Sequence, residues 1–380
     1  MISRRQFIGG AASAVVLPQF GCVSLADRSR AWTKGDLQIH FIYTGVGEQI
    51  FHIFPDGTTM LIDCGDIDTS KREPAPIPKI VQGRAPDYVA DYIERVNPAA
   101  DPTRVDYLMT SHYHADHLTG YPKLIERIHF KKAFDRTWPD VNFPCKISDM
   151  HPGELKTMGE VYAKLVKRDG LVVEKWRVGE RGQLKLLHGG AKDFSVFNLC
   201  ANGFVANETT GEITDLYKDY PDKQPGFKGN QFGKQWINEN GMSIGFILTY
   251  GKFRYFSAGD FSDCPYGHNI ENDMASMVRP VTAAKFNHHA YMSMFPKLTA
   301  ALRPKEWFAC VWNQRQNTPD TIGWVTDRNI YPGDRRIHSC FFSPQRPCAD
   351  VADPSLYEGR TVVLTVRPGG EKYDIEYVRP

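Results

Sequence analysis

Residues 110–120, TSHYHADHLTG, set three histidines and an aspartate, His112, His114, Asp116 and His117, into six consecutive positions directly after the apolar run VDYLM. That run reads as a buried strand ending at Met109. Residues 110–117 then form a loop at the sheet's edge, where a rigid scaffold presents chemistry. In an extended or turning backbone His112 and His114 project to one side, and Asp116 and His117 curl back toward them. Crowding these groups together, partly desolvated, is costly unless a cation neutralises them. The spacing therefore points to a metal centre.

Upstream, LQIHFIYT alternates, EQIFHIF follows after GVG, and PDG turns the chain into TTMLIDCG, the pattern of a β-meander. Pro-rich REPAPIPK loops out and PDYVADYIERV has helical spacing. Downstream, YPKLIERI and GELKTMGEVYAKLVKR read as helices, and LKLL, FSVFNL, GMSIGFILTYG and FRYFSAGD as strands. AKFNHHA reads as a further strand, FPKLTAALR as a helix and EWFACVW as a strand after it. Two meander-plus-helix halves, divided near residue 190, predict an α+β or α/β protein in which two mixed sheets pack face to face with helices outside.

The N-terminus reads as an address. SRRQFIGG places Arg4 and Arg5 ahead of Phe7 and a mild apolar stretch, the pattern of a twin-arginine export signal over residues 1–26. FGC, ending at Cys22, resembles a lipoprotein box, and SLA, ending at Ala26, is an equally acceptable cleavage site. The expectation is export, to the periplasm or to a lipid-anchored place in the cell envelope. Any membrane attachment would run through Cys22 alone, since no later stretch approaches a membrane span.

Of the 380 residues, 42% are apolar and 12% aromatic, enough for a sizeable core. Lys and Arg number 46 and Asp and Glu 44. Residues 1–22 hold Arg4 and Arg5 and no acid, so the remainder is balanced and offers no electrostatic footprint for nucleic acid. The eight cysteines are scattered without a CxxC pair, which argues against a disulfide scaffold. Cys340 and Cys348, separated by a Pro-rich loop, are the pair expected to bond.

HYHADH resembles the His-x-His-x-Asp-His signature of the metallo-β-lactamase-fold hydrolases, with LIDCG ending near Asp63 before it and Gly120 shortly after. IHFIYTGVGEQIFHIF, NENGMSIGFILTYGKFRYFSAGD and AKFNHHA, in that order, resemble the ComEC-type competence-protein hydrolase domain. The resemblance spans roughly residues 36–312. It implies a four-layer αββα sandwich over 36–380, with an insertion at about 204–240. It further implies a two-metal site: His112 and His114 on one ion, Asp116 and His117 on the other, and Asp260 bridging. Strand alternation would put Lys285, Asn287 and His289 on one face, which favours His289 over His288 as the last ligand and leaves His288 either to support a ligand from behind or to contact substrate. Asp63 is expected to hold the loop.

Two departures stand out. No Gly-His-Thr-like loop supplies the further histidine that many members carry; LCANG stands in its place and His188 is the nearest imidazole. HHAY replaces His-His-Gly-Ser, so Tyr291 would close part of the pocket. Imidazoles with carboxylates suit two zinc ions, with manganese or iron as alternatives. The di-iron relatives carry Glu where this chain has His114, which favours hydrolysis over redox chemistry. The mechanism implied is metal-assisted hydrolysis, with Asp116 orienting the attacking water. GVGEQ lacks the Lys-Ser/Thr of a P-loop. A phosphoester or other small molecule is the expected substrate. Lactone or β-lactam hydrolysis, and a non-catalytic metal-bearing envelope protein, remain the alternatives. The insertion reads equally as a lid or as a surface loop, and its acids outnumber its lysines, which does not favour a nucleic-acid groove.

Overall fold

Alternation in LQIHF decides how the first strand, β1 (Leu37–Phe41), is packed: Leu37, Ile39 and Phe41 enter the core between two sheets. His40 points the other way, to the Tyr92 hydroxyl at 2.9 Å. The computed structural model describes residues 31–146, 151–219, 237–263 and 269–380. The leader with Arg4, Arg5, Cys22 and Ala26, most of the second half of the 204–240 insertion, and Cys264 lie outside the described residues.

The meander continues as β2 (Ile50–Ile53) and β3 (Thr59–Ile62). Helix α1 (Ala85–Val96) leads to β4 (Arg104–Thr110). The short α2 (Ala115–Leu118) and α3 (Tyr121–Leu124) lead to β5 (His129–Asp135), and α4 (Pro152–Asp169) leads to β6 (Val172–Lys175). The second sheet begins with β7 (Phe194–Ala201), β8 (Phe204–Ala206), β9 (Ile213–Asp215), β10 (Gly245–Tyr250) and β11 (Phe253–Ser257). After α5 (Ile270–Met274) come β12 (Ala283–Lys285), α6 (Pro296–Leu302), β13 (Glu306–Ala309), α7 (Pro319–Thr326) and β14 (Arg336–Ser339). The chain then returns to the first sheet as β15 (Thr361–Val366) and β16 (Tyr373–Val378). The sheet orders are β16-β15-β1-β2-β3-β4-β5-β6 and β14-β13-β12-β11-β10-β7-β8-β9.

Both sheets are mixed: β3 to β6 run parallel, as do β11 to β14, and the remaining pairs are antiparallel. Phe41 of the first sheet stacks on Phe308 of the second at 4.7 Å, marking the inner core. On the outer face of the first sheet Val89 and Ile93 of α1 and Met158 and Leu165 of α4 pack over Leu61 and Leu108. Leu298 and Leu302 of α6 and Val325 of α7 join the cluster with Phe286 and Trp307. The fold is thus the expected αββα sandwich, that of the metallo-β-lactamase fold. No described helix is long and apolar enough to cross a membrane.

Local departures have local causes. LKLL is not a strand; its segment is held by Tyr107 of β4, whose hydroxyl donates to Lys185 O at 2.9 Å, and by Thr58 in the β2–β3 turn, whose Oγ1 accepts from Leu187 N at 2.6 Å. The strand expected over AKFNHHA stops at Lys285, because residues 287–290 make a tight turn with His288 and His289 at positive φ. Two strands, β8 and β9, lie within the 204–240 insertion and extend the second sheet. The expected Cys340–Cys348 bond is absent and both thiols are free. Cys340 instead sits at the end of β14 with its thiol 3.4 Å from the Phe41 carbonyl.

Candidate metal centre

The ligand-bearing loop leaves β4 at Thr110 and is fixed from below. Asp63, just past β3 and itself at φ 59°, accepts hydrogen bonds from Ser111 N at 2.8 Å, Ser111 Oγ at 2.6 Å and His117 Nδ1 at 2.8 Å. Asp63 therefore holds the loop and aims the other nitrogen of His117 inward. Tyr113 N donates to Glu239, whose carboxylate also pairs with Arg136 at 2.9 Å, tying the loop to the second sheet's side. A glycine saddle supports Asp116: a Cβ on Gly65 would lie 1.9 Å from the Asp116 carbonyl oxygen, and one on Gly47 2.7 Å from it.

Asp116, His117, Asp260 and His289 each offer a ligand atom within 4.8 Å of all the others. His117 Nε2 lies 3.1 Å from Asp260 Oδ2 and 3.3 Å from His289 Nε2. His289 Nε2 is 3.1 Å from Asp116 Oδ2 and 3.2 Å from Asp260 Oδ2. On the other side His112 Nε2 faces His114 Nδ1 at 3.1 Å and Asp260 Oδ2 at 3.8 Å. Asp260 thus stands between the two groups, and its other oxygen is buried without a partner. His188 is elsewhere, bonded to Asp106 at 2.9 Å.

The chemistry of these contacts suits a cation. His117 Nδ1 faces the Asp63 carboxylate and His289 Nδ1 faces the Cys310 carbonyl at 2.8 Å, so each neutral ring carries its proton there. Their Nε2 lone pairs then point at each other and at two carboxylates, an arrangement that repels unless positive charge enters it. Burial works against charge on both rings, yet the Asp260 carboxylate, with Asp116 beside it, raises both well above the ordinary histidine range. Burial holds His112 well below that range and His114 down to about 3.

His288 and His289 diverge because both adopt left-handed backbone, at φ 47° and 54°, followed by Ala290 at 59°. Such conformations are costly for residues with a Cβ and persist where the surroundings over-determine them. The turn sends His289 into the cluster. His288 lines the cleft above it, 3.3 Å from the Asn240 amide.

Glu48 was legible only as part of GVGEQ. It is fully buried, 3.0 Å from Lys285 Nζ and 3.1 Å from His289 Nδ1, so it orients His289 from behind. Trp312 was also unread; its Nε1 donates to Asp116 Oδ2 at 2.9 Å. A cleft of about 510 Å³ opens on Asp116 and His289, with Lys71, Arg72, Tyr291 and Trp312 among its walls.

No family model matches the chain and no curated protein matches it. Solved structures do. CmlA, a diiron beta-hydroxylase from Streptomyces venezuelae, aligns at TM-score 0.41 and 12% identity over 81% of this chain; the chain spans about half of CmlA, 54%. The metallo-beta-lactamase fold protein YhfI from Bacillus subtilis aligns at 0.40 and 11% identity, over 80% of this chain and 96% of YhfI. Zn(2+)-bound PqqB from Methylobacterium extorquens aligns at 0.33 and 13%, over 66% of this chain and 72% of PqqB.

Proposed function

We propose that the protein is an exported metal-dependent hydrolase of small anionic phosphoesters, akin to the ComEC-type domains its sequence resembles. One observation carries the substrate class: Lys71 and Arg72 line the cleft beside Asp116 with no carboxylate partner among the described residues, whereas Arg315 is taken by Glu73 at 2.7 Å. Unpaired cations beside a metal centre fit an anion.

Two divalent ions, zinc by preference and manganese or iron as alternatives, would be held by His112 and His114 on one side and by Asp116, His117 and His289 on the other, with Asp260 between. When bound, such ions acidify water and polarise a phosphoryl oxygen. The chain supplies the rest. Asp116 Oδ2, fixed by Trp312, orients the attacking water and receives its hydrogen bond. Lys71 and Arg72 bind the remaining phosphoryl oxygens; Arg72 lies over the Trp312 ring, 5.5 Å from its centroid, which limits its swing. Tyr291 offers an aromatic wall, and His288 contacts the leaving group.

The test is turnover by the metal-loaded chain of bis(p-nitrophenyl) phosphate, nitrocefin and a lactone panel. Phosphoester turnover supports the reading. Preference for nitrocefin or lactones places the chain among those hydrolases, and metal without turnover makes it a binding protein; either overturns the proposal. Lys71→Ala with Arg72→Ala should raise KM about tenfold with kcat little changed, since exposed charge contacts act on binding. An unaltered KM would remove the two cations from substrate recognition.

Export is checked separately. Arg4→Lys with Arg5→Lys should retain the protein in the cytoplasm, because lysine lacks the planar guanidinium fork that a twin-arginine receptor reads. Unimpaired export of that double variant would indicate the general secretory route.

A further inference from the structure

The two sides of the centre are unequally supplied. Asp116, His117, Asp260 and His289 crowd one side, whereas among the described residues His112 and His114 meet each other at 3.1 Å and have Asp260 at 3.8 Å from His112 as their carboxylate. Zinc sites favour four ligands, and catalytic ones hold at least three from the protein. His188, the sequence candidate for a further donor, has its Nε2 committed to Asp106 at 2.9 Å.

Another imidazole stands beside His114. His151, immediately before α4, packs edge-on against the His114 ring with centroids 4.9 Å apart. It is 9% exposed, and its Nε2 is buried without a hydrogen-bond partner. An orphaned buried polar nitrogen is rare in folded proteins and costs the desolvation of that group. His52 also has unpartnered nitrogens, but aromatic rings of Phe54, Phe246 and Tyr255 surround it. His151 lies next to His114, whose Nδ1 already converges with His112 Nε2 at 3.1 Å. Its side chain makes no capping bond to α4, so the local helix gives it no other task.

We propose that His151 is a ligand of the first metal, completing with His112, His114 and the shared Asp260 a set of four donors. The inference rests on the metal-centre reading above. Coming from the start of α4, the donor arrives by a route that the absent Gly-His-Thr-like loop would not predict.

The experiment is zinc and cobalt(II) titration of the full chain against a graded chelator, with the cobalt absorption spectrum as a second readout, for wild type, His151→Ala, His151→Gln, His151→Asp and His188→Ala. Wild type and His188→Ala should bind two ions alike. His151→Ala and His151→Gln should keep one tight ion, while the other weakens by about 100-fold or more, beyond the range of losses from groups that merely orient a ligand. His151→Asp should recover most of that loss and shift the cobalt spectrum, since a carboxylate replaces a nitrogen. Should His151→Ala fail to fold, His151→Gln keeps the side-chain bulk and is read by the same criteria. Two ions of unchanged affinity and an unchanged cobalt spectrum in His151→Ala or His151→Gln overturn the proposal. So does a wild type that binds one ion which His151→Gln binds equally well. Wild type that binds no metal would instead sink the metal-centre reading itself.

Discussion

Asp260→Asn is expected to empty the centre. Its Oδ2 is 3.1 and 3.2 Å from the inward nitrogens of His117 and His289 and 3.8 Å from that of His112, so one side chain serves both sides. Asparagine preserves volume and the backbone bond from Asp260 N to Ser243 Oγ, but removes the charge that faces the histidines. Metal affinity should fall by more than about 100-fold at both positions, and turnover should be lost with it. Metal-dependent stabilisation should shrink in step: at a metal concentration of about 100 times the wild-type Kd, linkage gives about 2.7 kcal/mol, most of which would vanish. Metal analysis after dialysis and melting with and without added zinc measure both. Full occupancy in Asp260→Asn would show that the bridging role is misassigned.

The second large effect separates two neighbours. His289→Ala removes a donor from a four-membered group and also strips the Glu48–Lys285 pair of its third member. The remaining Asp116, His117 and Asp260 should bind far more weakly, again beyond about 100-fold. His288→Ala should hold both ions and lose rate, because its ring faces the cleft and the Asn240 amide and not the cluster. Titrating zinc into the two single variants decides it. A larger loss of metal from His288→Ala would reverse the two roles.

The residues that gather here were legible in the sequence where a local pattern carried them. A strand running into His-x-His-x-Asp-His, and an apolar hairpin ending in Gly-Asp, need only chain-neighbour spacing. The turn after Lys285 did not follow from spacing: alternation assumed a strand, yet His288 and His289 sit at positive φ, a state that histidine seldom adopts and that only the surrounding packing enforces. Glu48 was hidden for a related reason, since its value lies in contacts with Lys285 and His289 more than 200 residues away. Strand β5, HFKKAFD, escaped because two consecutive lysines break its alternation; Lys131 pairs with Asp106 and Lys132 with Glu174, partners set by the sheet. LKLL failed the other way: it holds three leucines in four residues, yet no described strand pairs with it.

The return of β15 to β1 bears on how the protein is made. Leu37, among the earliest residues of the fold, is paired with Val366. Until residues 361–378 have left the ribosome, the apolar edge of β1 has no mate and can template joining to a second chain. Contacts of such sequence separation also form slowly, since the long loop must close before they reward it. Completion of the first sheet therefore waits for residues 361–366, and the edge of β1 that they cover stays unpaired in the interval.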